Sequence, residues 1–158
     1  MMDYRIIAAL NELIESSMDD ERGFALAATG TAEGELIALF NRGEESRRAA
    51  AAELQDQVRM LGGTAEEHGS FRGAARRRWT SIKSAVSVRE NRAILDECER
   101  SEDYVRARYA GALKLDLPEP LRAVVEAQYR EVVDIRYRVL DLRNRYRDKH
   151  ARALRSNG

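Results

Sequence analysis

Proline is nearly missing from this chain of 158 residues: there are two, Pro118 and Pro120, and they stand together in one short stretch. Long helices can therefore run uninterrupted on both sides of it. Aromatic residues make up 6% and β-branched runs are few, which argues against a sheet. The single cysteine, Cys98, excludes an intramolecular disulfide. No secretory leader pattern and no apolar run of about 18 residues is present. The expectation is a cytoplasmic protein with no membrane contact. Only two histidines occur, His68 and His150, and the residues three before them are Ala65 and Arg147. The Glu-x-x-His pair that builds di-metal sites in helical bundles is absent, and both histidines read as solvated.

Net charge is also lacking: 27 basic and 27 acidic side chains cancel, so nothing draws the whole molecule toward polyanions. The distribution is uneven. Residues 1–45 carry ten acidic against three basic side chains, 70–92 seven basic against one acidic, and 136–155 eight basic against two acidic. Arginine outnumbers lysine 24 to 3. That general bias weakens the meaning of any single arginine.

What the chain has in abundance is helical periodicity. Ile6, Ile7, Leu10, Leu13, Ile14, Ser17, Phe24 and Ala28 recur at steps of three and four, predicting a helix over about 3–29. Leu36, Leu39, Phe40, Gly43, Arg47, Ala50, Leu54, Val58 and Leu61 predict a second over about 32–61, stopped by Gly62 and Gly63. Thr64 to Glu67 reads as a capping-box turn, and Ser87 to Glu90 as the capping box of a third long helix carrying Ile94, Cys98, Glu102, Val105, Tyr109 and Leu113. The last, from about 119 to about 152, carries Leu121, Val125, Gln128, Val132, Ile135, Val139, Leu142 and Tyr146. Helices of about 30 residues are about 45 Å long, suited to a bundle. The expected fold is one all-α domain spanning the chain: an antiparallel four-helix bundle with a short extra helix over 70–86.

That short helix carries the sequence GSFRGAARRRWTSIK. Phe71, Ala75, Trp79, Ile82 and Val86 share an arc of about 80° and predict its buried face. Arg72, Arg76 and Lys83 form a strip along one flank. Such a strip can hold phosphate or nucleic acid, but pairing with the acidic first helix or a second subunit is the preferred expectation.

Three polar residues interrupt the apolar stripes of long helices: Arg47, Glu102 and Gln128. Glu99 and Glu102 stand three apart and can face one way. A buried carboxylate needs a metal or a cation as partner, so a central polar network is expected, with salt bridges and hydrogen bonds favoured over iron or manganese. Cys98, on the apolar side, reads as a buried structural thiol.

Four segments carry a resemblance: LNELIESSMDDERGF at 10–24, ELQDQVRMLGGTAEEHGSFRGAARRRW at 53–79, ILDECERSEDYVRARYAGALKLDLP at 94–118 and VVEAQYREV at 124–132. In this order, spread over about 5–144, they resemble a bacterial ferritin-like family of four-helix-bundle proteins found in many proteobacteria, whose function is not established. The resemblance implies the ferritin-like bundle. It also implies departures: the family commonly has histidine where this chain has Arg76 and Arg136, and glycine where it has Ser101. Arginine stays protonated and is a very poor metal ligand. The expectation is a non-enzymatic, oligomeric bundle protein with a structural or stress-associated role, no cofactor, and a central site altered or lost, in which Glu15, Glu99 and Glu102 pair with Arg76 or Arg136. The alternatives are a di-metal carboxylate protein acting on iron, oxygen or peroxide, and phosphate or nucleic-acid binding through Arg72, Arg76 and Lys83.

Overall fold

The computed structural model describes residues 3–70 and 85–157, and among them the fold is all-α and bundle-like. Its four long helices are α1 (Tyr4–Thr29), α2 (Gly34–Met60), α3 (Val88–Ala112) and α4 (Glu119–Ser156). Most of the predicted short helix, residues 71–84 with Phe71, Arg72, Arg76, Trp79 and Lys83, lies outside the described residues.

Local chemistry sets the helix ends. Asp3 caps α1 by accepting from the Arg5 and Ile6 N–H groups. α2 ends where Gly62 takes φ 84°, a left-handed conformation open to glycine. Ser87 and Glu90 close the expected capping box on α3. Pro118 is the N-cap of α4 and Pro120 lies in its first turn, where a missing N–H costs nothing. α4 runs through Ser156, four residues beyond the expected end.

Two expectations in the α2–α3 connection are corrected. Thr64 to Glu67 forms no helical turn; Asn11 of α1 holds it by donating to the Thr64 carbonyl and accepting from the Glu66 N–H. Val86, expected on a buried face, is 75% exposed. Ala85 is the buried residue instead, drawn against α1 where its N–H donates to the Gly30 carbonyl at 2.6 Å beside an isolated bridge to Thr31.

Residue pairings define the neighbours. α1 meets α2 where Gly43 lies against the Phe24 ring, and Gly63, just beyond α2, lies against Ile7. It meets α3 at Glu12–Arg108 and Asp20–Ser101. α2 meets α4 at Glu35–Arg145 and where Arg42 reaches Glu131 and Asp134. α3 meets α4 at Asp103–Arg136 and Glu99–Arg143. α2 and α4 are packed more loosely than the other three pairs.

The core is in two parts. One apolar cluster includes Leu10, Leu13, Leu54, Val58, Val105 and Val125. The other includes Phe24, Leu36, Phe40, Ile94, Ile135 and Val139. Each fully buried side chain of this kind contributes about 1.5–3 kcal/mol. Between the clusters lies a buried layer of a different composition.

A candidate polar site at the centre of the bundle

The core positions follow seven-residue repeats. On α1 they run Leu10, Leu13, Ser17, Asp20, Phe24, Ala27; on α3, Leu95, Cys98, Glu102, Val105, Tyr109; on α4, Val125, Gln128, Val132, Ile135. Where the repeats are polar, the four helices bring Ser17, Asp20, Arg47, Glu102 and Gln128 into the interior together. All five are buried; Arg47 is 1% exposed and Glu102 0%.

Glu102 and Asp20 form a carboxyl pair. Asp20 accepts from the Ser101 hydroxyl through Oδ1 at 2.7 Å, and its Oδ2 has no other hydrogen-bond partner among the described residues. Both Glu102 oxygens are buried and likewise without a donor among them. Burial above all, then the Asp20 charge and the hydrogen bond to it, pushes the Glu102 carboxyl well above the usual carboxylate range; Arg47 and Arg136 oppose this in part. One proton shared between the two carboxyls gives Asp20 Oδ2 a partner and removes one of two like charges.

Arg47 enters from α2. Its Nη2 donates to Ser46 Oγ at 2.9 Å, while Nε and Nη1 are buried and unpartnered among the described residues. A hydrogen-bonded chain closes the layer toward α4. The Tyr109 hydroxyl donates to Gln128 Oε1 at 2.7 Å and lies 3.4 Å from Ser17 Oγ. Gln128 Nε2 donates to Glu53 Oε1 at 2.8 Å and to the Ala50 carbonyl at 3.3 Å. Burial raises the Tyr109 phenol, against the pull of Arg47. The Cys98 thiol, buried beside Asp20 and Glu102, is pushed up by burial first and by those carboxylates next, the opposite of what a nucleophile needs.

Of the residues singled out in the sequence, Glu102 and Gln128 come together in this layer, joined by Arg47. Glu15 is only half-buried on α1. Glu99 does not enter the layer: it faces the α3–α4 flank and binds Arg143 at 2.6 Å. Arg136 is directly paired not with Glu15 or Glu99 but with Asp103, at 2.6 Å. Arg72, Arg76 and Lys83 lie outside the described residues. His68 is exposed, and His150 is half-buried with Nδ1 3.1 Å from Arg92. Asp20 is the member that sequence reading passed over, although its place three after Ser17 and four before Phe24 keeps the repeat. Among the described residues, no three histidine, cysteine or carboxylate side chains are grouped closely enough to hold a metal. No helix among them is long and apolar enough to cross a membrane.

A family model described as "Domain of unknown function (DUF2383)" matches residues 5–115, more than half of the chain, and the chain belongs to that family. The match takes in Asp20, Arg47 and Glu102 and stops before Gln128. No curated protein matches the chain.

Proposed function

We propose that this member of the family is a non-enzymatic, ferritin-like bundle protein with a structural role, in which a buried charge and hydrogen-bond network stands where ferritin-like bundles hold metals. The pairings support the arrangement: Glu12–Arg108 and Asp20–Ser101, or Glu35–Arg145 and Arg42–Glu131, advance in opposite directions along their two helices. Neighbours are then antiparallel, and the long 61–87 connection leaves α2 and α3 pointing the same way.

The observation that carries the reading is Arg47, a fully buried guanidinium in the same layer as the only two carboxyls fully buried there. A di-iron or di-manganese centre needs carboxylates and imidazoles from facing helices. The described donor set is one Asp and one Glu, with an arginine from α2 and an amide from α4. It does not fit a metal pair, because a permanent cation repels the metal and supplies no lone pair.

The protein also self-associates in this reading. Val133 and Tyr137 stand four apart on α4, 40% and 70% exposed, an apolar step that a second copy can cover. Elemental analysis of protein purified without chelator tests the central claim. Iron and manganese far below one per chain are expected, in wild type and in Glu102→Ala alike. Stoichiometric metal that disappears in Glu102→Ala would sink it. Sedimentation equilibrium tests association, with Tyr137→Ser expected to shift the mass toward the monomer.

A further inference from the structure

Two flanks of α4 are occupied. Glu131, Asp134 and Arg145 pair with α2 on one side, and Arg136 and Arg143 pair with α3 on the other. Opposite the buried stripe lies a third face. Glu119, Ala123, Arg130, Tyr137, Asp141 and Asp148 recur along it at steps of four and seven, which at about 100° per residue keeps them within an arc of about 40°. All six are exposed, and no other described helix covers them.

The charges on this face follow a pattern. Glu119, Arg130, Asp141 and Arg152 alternate in sign at a constant spacing, three turns of helix apart, with Val133 and Tyr137 in the middle. Glu119, Arg130 and Arg152 have no ion pair among the described residues, and Asp141 meets only Arg145, at 3.4 Å. From the N-terminal end the face reads acid, base, apolar pair, acid, base. From the C-terminal end it reads base, acid, apolar pair, base, acid. A copy laid in reverse therefore sets opposite charges together on both sides of an apolar centre.

We infer that this face of α4 is a self-complementary docking surface on which a second copy lies antiparallel. Val133 and Tyr137 of the two copies pack together, Arg130 faces Asp141 of the second copy, and Glu119 faces its Arg152, each pair occurring twice by the two-fold symmetry. Such a dimer rests on the self-association proposed above and adds to it an orientation and a register. The apolar centre supplies affinity, while the charges select the register: an exposed ion pair contributes little, but like charges brought together oppose docking. A parallel copy would set every residue of the face against itself. Sliding the antiparallel copy by one turn brings Asp148 opposite Glu126 in one direction and opposite Glu119 in the other, carboxylate against carboxylate.

Sedimentation equilibrium and oxidative cross-linking of the full chain test the mass and the register separately. Arg130→Glu and Asp141→Arg are each expected to weaken the dimer by about tenfold or more at low salt, and the double variant to recover it to within about threefold, with circular dichroism unchanged. Ala123→Cys together with Asp148→Cys places two exposed thiols at one level of the antiparallel register and is expected to give a covalent dimer on mild oxidation. Ala123→Cys alone stands roughly 37 Å from its own copy in that register and is expected to give none; the native Cys98 is buried. A monomer at every concentration would overturn the self-association and the register together. A dimer that cross-links through Ala123→Cys alone, that fails to cross-link in the paired variant, or that the Arg130–Asp141 exchange does not recover would overturn the register and leave self-association standing.

Discussion

Replacing Arg47 by methionine removes the one fully buried cation among the described residues while keeping the length of its apolar stem. What remains is the Asp20–Glu102 pair without its counter-charge. Arg47 makes no ion-pair contact within 4 Å there, so its effect on Glu102 is exerted across a gap. At an effective dielectric constant of about 20 a charge pair at about 4 Å is worth about 4 kcal/mol, and separation beyond contact leaves roughly 2–3 kcal/mol. The interaction exists only when Glu102 is ionised. Because its carboxyl is raised in the folded protein, mainly by burial and then by Asp20, the stability that this group contributes is complete below the ordinary glutamate range. It is lost as pH rises through the raised value. A double-mutant cycle of Arg47→Met and Glu102→Gln, read by urea unfolding at a series of pH values, isolates the pair. The coupling is expected near zero below the ordinary glutamate range and to grow toward roughly 2–3 kcal/mol as pH rises through the raised value, a midpoint difference of about 1–1.5 M urea for a slope of about 2 kcal/mol/M. Glu102→Gln alone is expected to flatten the pH dependence and to be the more stable protein above neutrality. A coupling within about 0.5 kcal/mol of zero at every pH would refute both the burial of Glu102 as an acid and its link to Arg47.

Other substitutions probe the packing around this layer. Gly43→Ala places a methyl 2.6 Å from the Phe24 ring and is expected to cost about 1–3 kcal/mol, visible as a lower melting temperature. Ser87→Ala removes the α3 cap and is expected to cost about 1 kcal/mol in urea unfolding. Tyr109→Phe leaves Gln128 Oε1 without its donor, a loss of about 1–2 kcal/mol by the same measurement. Replacing the charged layer together, as Asp20→Leu, Arg47→Met and Glu102→Leu, is expected to raise the unfolding midpoint, as exchange of buried ions for apolar groups does by about 1–4 kcal/mol. A fall in the midpoint would count against the layer's being a cost in stability.

The stripes were legible because every long helix keeps its seven-residue repeat: all eight stripe residues read on α4 are buried. Arg47, Glu102 and Gln128 were legible as interruptions of those stripes. Asp20 was not, since an acidic residue next to Asp19 and Glu21 reads as part of a solvated run, and only strict counting from Ser17 to Phe24 puts it inside. Glu99 misled in the other direction. Spacing of three from Glu102 allows a shared face, but the repeat passes through Cys98, and a residue 100° further round falls on the flank, within reach of Arg143. The partners of Arg136 were illegible for a related reason: its neighbour across the helices, Asp103, lies outside every apolar stripe. The coupling of Glu102 to Asp20 depends on which helices are adjacent, a tertiary fact that no local pattern contains.

The arrangement of the polar layer bears on why such a layer persists inside a bundle. The apolar clusters on either side are mostly Leu, Ile, Val and Ala at the same spacing, so hydrophobicity alone discriminates weakly against shifting one helix by seven residues. Such a shift would carry Arg47 into the Leu54–Val58 level or opposite Ile135 and Val139, burying a guanidinium with no carboxyl near it. That penalty, several kcal/mol for an uncompensated buried charge, is large beside the small preference among aliphatic packings. A central Arg47–Asp20–Glu102 layer thus selects one register out of several that hydrophobicity leaves nearly equal, as a buried polar residue does in a coiled coil. Its stabilising effect is then a difference between arrangements rather than a gain in the native one, which is why replacing the layer can raise the unfolding midpoint while weakening what fixes the register.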